Sequence, residues 1–392
     1  MKERLLGKDQ EELRAVVQEA GLPAFAAAQI ARWLYVKKVR SIEEMTNLSK
    51  AARACLAEKY EVGCIGYDIV HQSVDGTRKY LFPVGQDLPR TATGSGADQT
   101  RDVSGEGSAI FRRQERVCGV SAAGRKRLER SAVEVVMIPD GDRATLCVSS
   151  QSGCRMGCRF CMTGRQGFHG NLSAADIISQ FIAIDESDRL TNAVFMGMGE
   201  PLDNYANVSR VIEILTSDWG FGWSPKRITV STIGVLPVLR HYLDESKCHL
   251  AVSLHSPFSD ERLSVMPVEK AWPAEAVIDL IRQYDFTGQR RVSFEYTMFA
   301  GFNDDKRHAD ALVRLLRGLE CRVNLIRFHQ IPNFPFVTSS DAVIEAFKDR
   351  LNRSGIVATV RASRGEDIFA ACGMLAGKHG VEERNFLGGT EE

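Results

Sequence analysis

From Thr145 towards the C-terminus the sequence alternates short apolar runs with longer helical ones. That alternation limits the fold more than any other feature. The strand candidates are TLCVS, NAVFMGM, RITVST, HLAVSL, RVSFEYTM, RVNLIRF and IVATVRAS. Between most of them lie helical stretches such as SAADIISQFIAI, YANVSRVIEILTS, PAEAVIDLIRQYD, DDKRHADALVRLLRG and SDAVIEAFKDRLNRSG. Strand–helix–strand units build a parallel sheet, because a parallel neighbour is reached only through a crossover. The sheet is either open or curled into a barrel. In a barrel the chemistry sits at the C-terminal ends of the strands.

Upstream, residues 1–60 read as helical. SIEEMTNLSKAARACLAEKY opens with Ser41 and Glu44 in capping-box spacing. PAFAAAQIARWLYVKK sets Phe25, Ile30, Trp33 and Leu34 near helical spacing and ends on Lys37 and Lys38. This region is either a small helical domain with a solvated basic end or a docking surface for RNA phosphates. YDIVHQSV and TRKYLFPV then flank Asp75-Gly76, a tight-turn signal that predicts a hairpin. A further strand, AVEVVMIP, starts at Ala132. Residues 85–131 have another texture, rich in Gly, Ser, Ala, Thr and Arg with Phe111 the one aromatic. Without apolar periodicity they predict a flexible insertion, either an RNA-binding arm or a tolerated segment without function. The expected organisation is an accessory domain plus hairpin over 1–84, the insertion over 85–131, a catalytic barrel over 132–375 and a tail over 376–392.

Lys+Arg and Asp+Glu number 50 each, so bulk charge announces no nucleic-acid partner; one would need a local basic surface. No apolar run approaches a membrane span, and the charged start MKERLLGKDQEEL lacks the apolar core of a signal peptide. A cytoplasmic location without membrane contact is expected. Disulfides seldom persist there, so metal or catalysis explains ten cysteines better than staples do, with some as core fillers.

Three of the ten are crowded into CRMGCRFCMTGRQGF, as Cys154, Cys158 and Cys161. A structural zinc site wants four ligands, and no fourth Cys or His sits at suitable local spacing, although Cys147 and His169 are near. Three thiolates suit a [4Fe–4S] cube that keeps one iron open for a substrate or cofactor. Gly153, Gly157, Arg155 and Arg159 suit a loop wrapping an anionic cluster, and Phe160 would shield it.

C-x3-C-x2-C is the spacing of radical S-adenosylmethionine (SAM) enzymes. RATLCVSSQSGCRMGCRFCMTGRQGFHGNL, FMGMGEPLDNY, TVSTIGVLP, AVSLHSP and RASRGEDIFAACGML together resemble the RlmN/Cfr family of RNA adenine methyltransferases. The resemblance spans nearly the whole chain and departs at 85–131. It implies an α/β fold: a partial (β/α)6 radical-SAM barrel with a small N-terminal helical accessory domain and a β-hairpin linker. It implies one [4Fe–4S] cluster held by Cys154, Cys158 and Cys161, and exchangeable SAM contacted by Gly199, Glu200, Ser231, Ser253, Leu254, His255 and, where many members have Asn, His329. A carboxylate at Glu200 suits the ammonium of SAM.

The resemblance also assigns Cys372 as a methylated cysteine, Cys147 as its transient disulfide partner and Glu134 as proton acceptor. From pattern alone the two cysteines read as small core hydrophobes and Glu134 as an outward residue of an alternating strand. C2 of adenine is electron-poor and bears no acidic proton, which explains the need for a carrier. One SAM methylates Cys372, a second yields a 5′-deoxyadenosyl radical that activates the S-methyl group, and closure of a Cys147–Cys372 disulfide releases the product. Either Cys147 or Glu134 would take the C2 proton. The implied substrates are adenine 2503 of 23S rRNA and adenine 37 of some tRNAs, with flavodoxin or ferredoxin as reductant and a monomeric enzyme. The rivals are methylation at C8 of the same rRNA adenine and, from another class, a non-enzymatic zinc protein that binds RNA.

Overall fold

The seven apolar runs after Thr145 become seven parallel strands in the computed structural model, which describes residues 2–84, 111–113, 132–288 and 290–376. In chain order the strands are β1 (Glu3–Arg4), β2 (Tyr60–Glu61), β3 (Ile69–Gln72), β4 (Arg78–Pro83), β5 (Phe111–Arg113), β6 (Ala132–Asp140), β7 (Arg143–Cys147), β8 (Gln151–Gly153), β9 (Phe168–Asn171), β10 (Asn192–Phe195), β11 (Ile228–Thr232), β12 (His249–Ser253), β13 (Val292–Met298), β14 (Cys321–Arg327) and β15 (Val357–Val360). One sheet has the order β15-β14-β13-β12-β11-β10-β7-β6-β4-β3-β5. From β7 to β15 its members are parallel, and from β7 through β6, β4 and β3 to β5 they are antiparallel.

Helices Ala174–Ile182, Tyr205–Thr216, Leu236–Glu245, Ala274–Ile281, Lys306–Leu315 and Asp341–Arg353 carry the chain from each parallel strand to the next. The expected partial (β/α)6 barrel is therefore present, with β15 added at its edge. Local chemistry fixes the helix starts. Ser173 and Asp176 make a capping box, and the side chains of Asp305 and Ser340 accept from His308 N and Val343 N. In β11, Ile228, Val230 and Thr232 are buried while Thr229 and Ser231 are half-buried, so one face packs and the other lines the barrel interior.

The N-terminal region differs in detail from its sequence reading. The run from Ser41 to Tyr60 splits into a 3₁₀ turn, Ile42–Glu44, and a helix, Lys50–Lys59, because Ser49 supplies a second cap. Helix Ala26–Ala31 widens into a π turn over Arg32–Val36. Ile30 and Leu34 are buried, but Phe25 is exposed. Lys38, half of the expected basic end, is committed to the barrel: its Nζ lies 2.8 Å from Ser187 O and 2.9 Å from Asp188 Oδ1. Leu13, Val16, Ile30 and Leu34 belong to the same continuous core as the barrel strands. Gly7 lies so close to the helix Ala174–Ile182 that a Cβ there would meet Ala175 N at 2.6 Å, and Arg4 pairs with Asp176 at 2.5 Å. The hairpin forms as expected, but its last pair is Gln72–Arg78, leaving a five-residue tip, 73–77, in place of a two-residue turn. The proposed flexible insertion lies outside the described residues except for β5, whose backbone pairs with β3.

Candidate active site

The parallel strands deliver most of the sequence-nominated residues to their C-terminal ends. Cys147 ends β7, Gly199 and Glu200 follow β10, Ser231 lies near the end of β11, and Ser253, Leu254 and His255 leave β12. The three clustered cysteines occupy the loop between β8 and the short helix Met162–Arg165. Gly153 and Gly157 adopt φ of +71° and +67°, and a Cβ on Gly153 would meet Gly167 O at 2.0 Å, so the loop needs glycine there. Cys154 N donates to Gly167 O at 2.9 Å and Arg159 N to Val265 O at 2.9 Å, which pins both ends of the loop. Phe160 packs against His255 and Phe299 with ring centroids 4.8 and 5.5 Å apart. Phe299 in turn touches Phe302, Phe328, Phe334 and Phe336, an aromatic wall behind the loop.

Glu200 is buried, and both carboxylate oxygens are engaged: Oε1 accepts from Leu202 N and Oε2 from Ile233 N, each at 3.0 Å. Burial pushes its pKa up to about 7, against the lowering effect of these hydrogen bonds. Gln151 Oε1 accepts from Glu200 N at 2.9 Å, and Gly199, at φ +100°, comes so near Gln151 that a Cβ would lie 2.5 Å from its Cβ. Below this, buried Arg262 ties the strand ends together. It donates to the carbonyls of Leu254, Ser253 and Ile233 at 3.1, 3.1 and 3.2 Å and pairs with buried Glu269. Thr297 N donates to His255 Nδ1 at 3.0 Å, which leaves the ring proton on Nε2. Burial, aided by nearby Arg262, drives the His255 pKa down to about 3, so the ring is neutral.

The chain beyond β15 returns to the same end of the barrel. Met162 N donates to Gly373 O at 2.8 Å, Thr163 Oγ1 to Leu375 O at 2.7 Å and Gln166 Nε2 to Ala376 O at 2.5 Å. Cys372 thus comes near Cys147 and Cys161. Cys147 is buried; Cys372 keeps exposed surface although its thiol sits among packed groups, whose desolvation raises its pKa. Glu134 lies beneath this segment, with Oε2 accepting from Ala376 N at 2.5 Å. His329 is the exception among the nominated residues. Its contacts are with Ser363 Oγ at 3.3 Å and Glu366 Oε1 at 3.4 Å, at the root of the returning segment.

Several participants were not nominated from sequence. Glu295, Asn324 and Thr359 stand directly opposite one another, and Glu295 opposite the nominated Ser253, across four strands. Asn324 Nδ2 donates to Glu295 Oε1 at 2.7 Å and Thr359 Oγ1 to Asn324 Oδ1 at 2.9 Å. Arg361 Nε lies 3.5 Å from the other oxygen, Glu295 Oε2, and near both Cys147 and Cys372. The available signal was a glutamate and an asparagine inside otherwise apolar strand runs.

Residues 148–312 match the Radical SAM superfamily and residues 4–62 the ribosomal RNA large subunit methyltransferase N-terminal domain. A probable dual-specificity RNA methyltransferase RlmN of Parabacteroides distasonis is 54% identical over 96% of this chain and 97% of its own length. The chain belongs to the RlmN family. A second family member, the dual-specificity RNA methyltransferase RlmN of Syntrophus aciditrophicus, is 37% identical, with 95% of this chain and 96% of the relative covered. The fold agrees too: a radical SAM methyltransferase from Sphaerobacter thermophilus, 35% identical, superposes with a TM-score of 0.80 over 96% of this chain and 100% of its own.

Radical SAM membership implies SAM and a [4Fe–4S] cluster, and the cysteine loop suits one. Burial pushes all three thiols up, Cys154 to about 12, and the sulfurs of Cys154 and Cys161 add to the rise at Cys158. A bound cationic metal inverts that balance and takes the thiolates. Among the described residues no three His, Cys, Asp or Glu side chains gather tightly enough to share one ion. A cube asks for a looser set, because each cysteine binds its own corner.

Proposed function

We propose that this enzyme methylates C2 of adenine 2503 in 23S rRNA and of adenine 37 in some tRNAs, with Cys372 as the methyl carrier. The observation that carries this reading is the meeting of three elements at one barrel end: the cysteine loop, Cys147 on the first parallel strand, and the Cys372 segment held at Met162 N–Gly373 O. The naming of close relatives as dual-specificity RNA methyltransferases supports two RNA substrates.

Cys154, Cys158 and Cys161 would hold the cluster, which when bound supplies one-electron cleavage of SAM. The chain's own residues do the rest. Glu200 receives the SAM ammonium, and Arg262 keeps Leu254, Ser253 and Ile233 fixed around it. Neutral His255 offers an Nε2 proton as donor, and Ser231 and Ser253 line the interior. Cys372, as a thiolate, attacks the methyl carbon of a first SAM molecule and releases S-adenosylhomocysteine; its partly open surface admits that cofactor and later the base. Cys147, buried at the end of the first parallel strand, would form the disulfide that frees the product. Glu134 is already bound by Lys79 and Ala376 N, which favours Cys147 as the group taking the C2 proton. A flavodoxin- or ferredoxin-type reductant, a monomeric state and a cytoplasmic location complete the proposal.

The test is an anaerobic assay with an rRNA fragment, SAM and a reductant. Wild type should place methyl on C2, and Cys372→Ala should place none. Turnover by Cys372→Ala overturns the carrier, methyl on C8 overturns the regiochemistry, and a colourless protein with one zinc overturns the enzyme.

A further inference from the structure

The stretch that carries Cys372 has little regular structure of its own. Between β15 and Ala376 it holds one 3₁₀ turn, Glu366–Ile368, so neighbouring contacts must fix where the thiol stands. The cysteine loop and its helix grip one side through Met162, Thr163 and Gln166. The hairpin tip grips the other. Ser73 Oγ donates to Asp367 Oδ1 at 2.5 Å and Val74 N to Asp367 Oδ2 at 3.2 Å. In reply, Asp75 Oδ2 accepts from Gly365 N at 3.1 Å while its Oδ1 accepts from Thr77 N at 2.9 Å. One carboxylate thus shapes the hairpin tip and holds the returning chain. The fit is close: Gly365 has φ +62°, and a Cβ there would lie 2.9 Å from Thr77 Cγ2 and 2.8 Å from Ala370 Cβ. Lys79 Nζ reaches Phe369 O at 3.5 Å, and Phe369 is held at φ +52°, an unusual backbone for a bulky residue.

We propose that the Ser73–Thr77 tip and Asp367 form a reciprocal clamp that sets the position of Cys372, making Asp367 and Asp75 positioning residues for methyl transfer. The inference rests on Cys372 as the methyl carrier. Transfer from a carrier requires the methyl group, the adenosyl carbon and the base to meet within near-attack distance, and a shift of an ångström is costly. The clamp sits five residues from Cys372 and touches none of the cofactor-binding residues. Its loss should therefore separate cofactor cleavage from methyl delivery.

The experiment uses full-length, cluster-loaded protein with Asp367→Ala, Asp367→Asn and wild type. Hydrogen exchange of peptides spanning 365–376 is read without RNA, and the ratio of 5′-deoxyadenosine formed to methyl transferred is read with RNA. Asp367 is exposed, which suits it to substitution. Asp367→Ala should exchange about tenfold faster there, as expected for the loss of two charge-assisted hydrogen bonds. Its ratio of cofactor cleaved to methyl transferred should rise at least about fivefold, and Asp367→Asn, which keeps an acceptor for Ser73, should recover part of both. Unchanged exchange overturns the clamp. Faster exchange with an unchanged ratio, or loss of the cluster together with activity, leaves Asp367 merely structural and also overturns it. Turnover by Cys372→Ala in the same assay refutes the carrier reading instead, so the two failures are distinct.

Discussion

Lys79 Nζ lies 3.0 Å from Glu134 Oε1, and both side chains are almost wholly buried. β4 and β6 set them side by side, with Leu81 opposite Glu134 and Lys79 opposite Val136. A buried ion pair gains little over apolar residues of the same size, but breaking one costs far more, because it strands a charge. Lys79→Ala should therefore destabilise the protein by about 3–5 kcal/mol in chemical denaturation. The double variant Lys79→Met/Glu134→Leu should recover most of that loss.

His255 gives a pH dependence with a definite sign. Its ring stays neutral in the native state down to about pH 3 because it is buried near Arg262, whereas in the unfolded chain it titrates near the ordinary imidazole value of 6.5. Between those values the unfolded state binds the extra proton, so stability rises with pH and falls on acidification. Between pH 6.5 and 5 wild type should lose in total roughly 1.6 kcal/mol more than His255→Gln. Urea midpoints at several pH values check this, and equal slopes refute it.

Phe299 is fully buried and touches five other phenylalanines, among them Phe160 beside the cysteine loop. Phe299→Ala should cost about 3–5 kcal/mol. With the wall opened, the visible band of the cluster should also bleach faster in air than in wild type. Iron content after timed exposure measures it.

Glu200→Gln removes the negative charge offered to the SAM ammonium while keeping an acceptor for Leu202 N or Ile233 N. Calorimetric titration of SAM into cluster-loaded protein should show roughly 10–100-fold weaker binding, the worth of a charge-assisted hydrogen bond. Unchanged affinity would remove Glu200 from the cofactor site.

Much of the barrel was legible because parallel strands buried on both faces read as apolar runs, and all seven such runs are strands. Motif spacing likewise located Cys154, Cys158 and Cys161 on one loop. Helix Leu236–Glu245 was not picked out: Pro237 and a polar face blur its start. The β8–β9 pair was missed because three- and four-residue strands carry almost no pattern. Glu295, Asn324 and Arg361 escaped because they matter through register, and register is set by strands far apart in sequence. Asp367 escaped for the same reason, since its partners Ser73 and Val74 lie in the hairpin, near the other end of the chain.

The parallel part of the sheet begins with the strand that ends in Cys147 and finishes with the one that leads to Cys372. A ribosome making this chain releases the cysteine loop long before Cys372. The residues proposed to hold the cofactors all precede the proposed methyl carrier in the chain. Under the proposed carrier role, a chain cut short before the Cys372 segment would lack the group that delivers methyl to RNA.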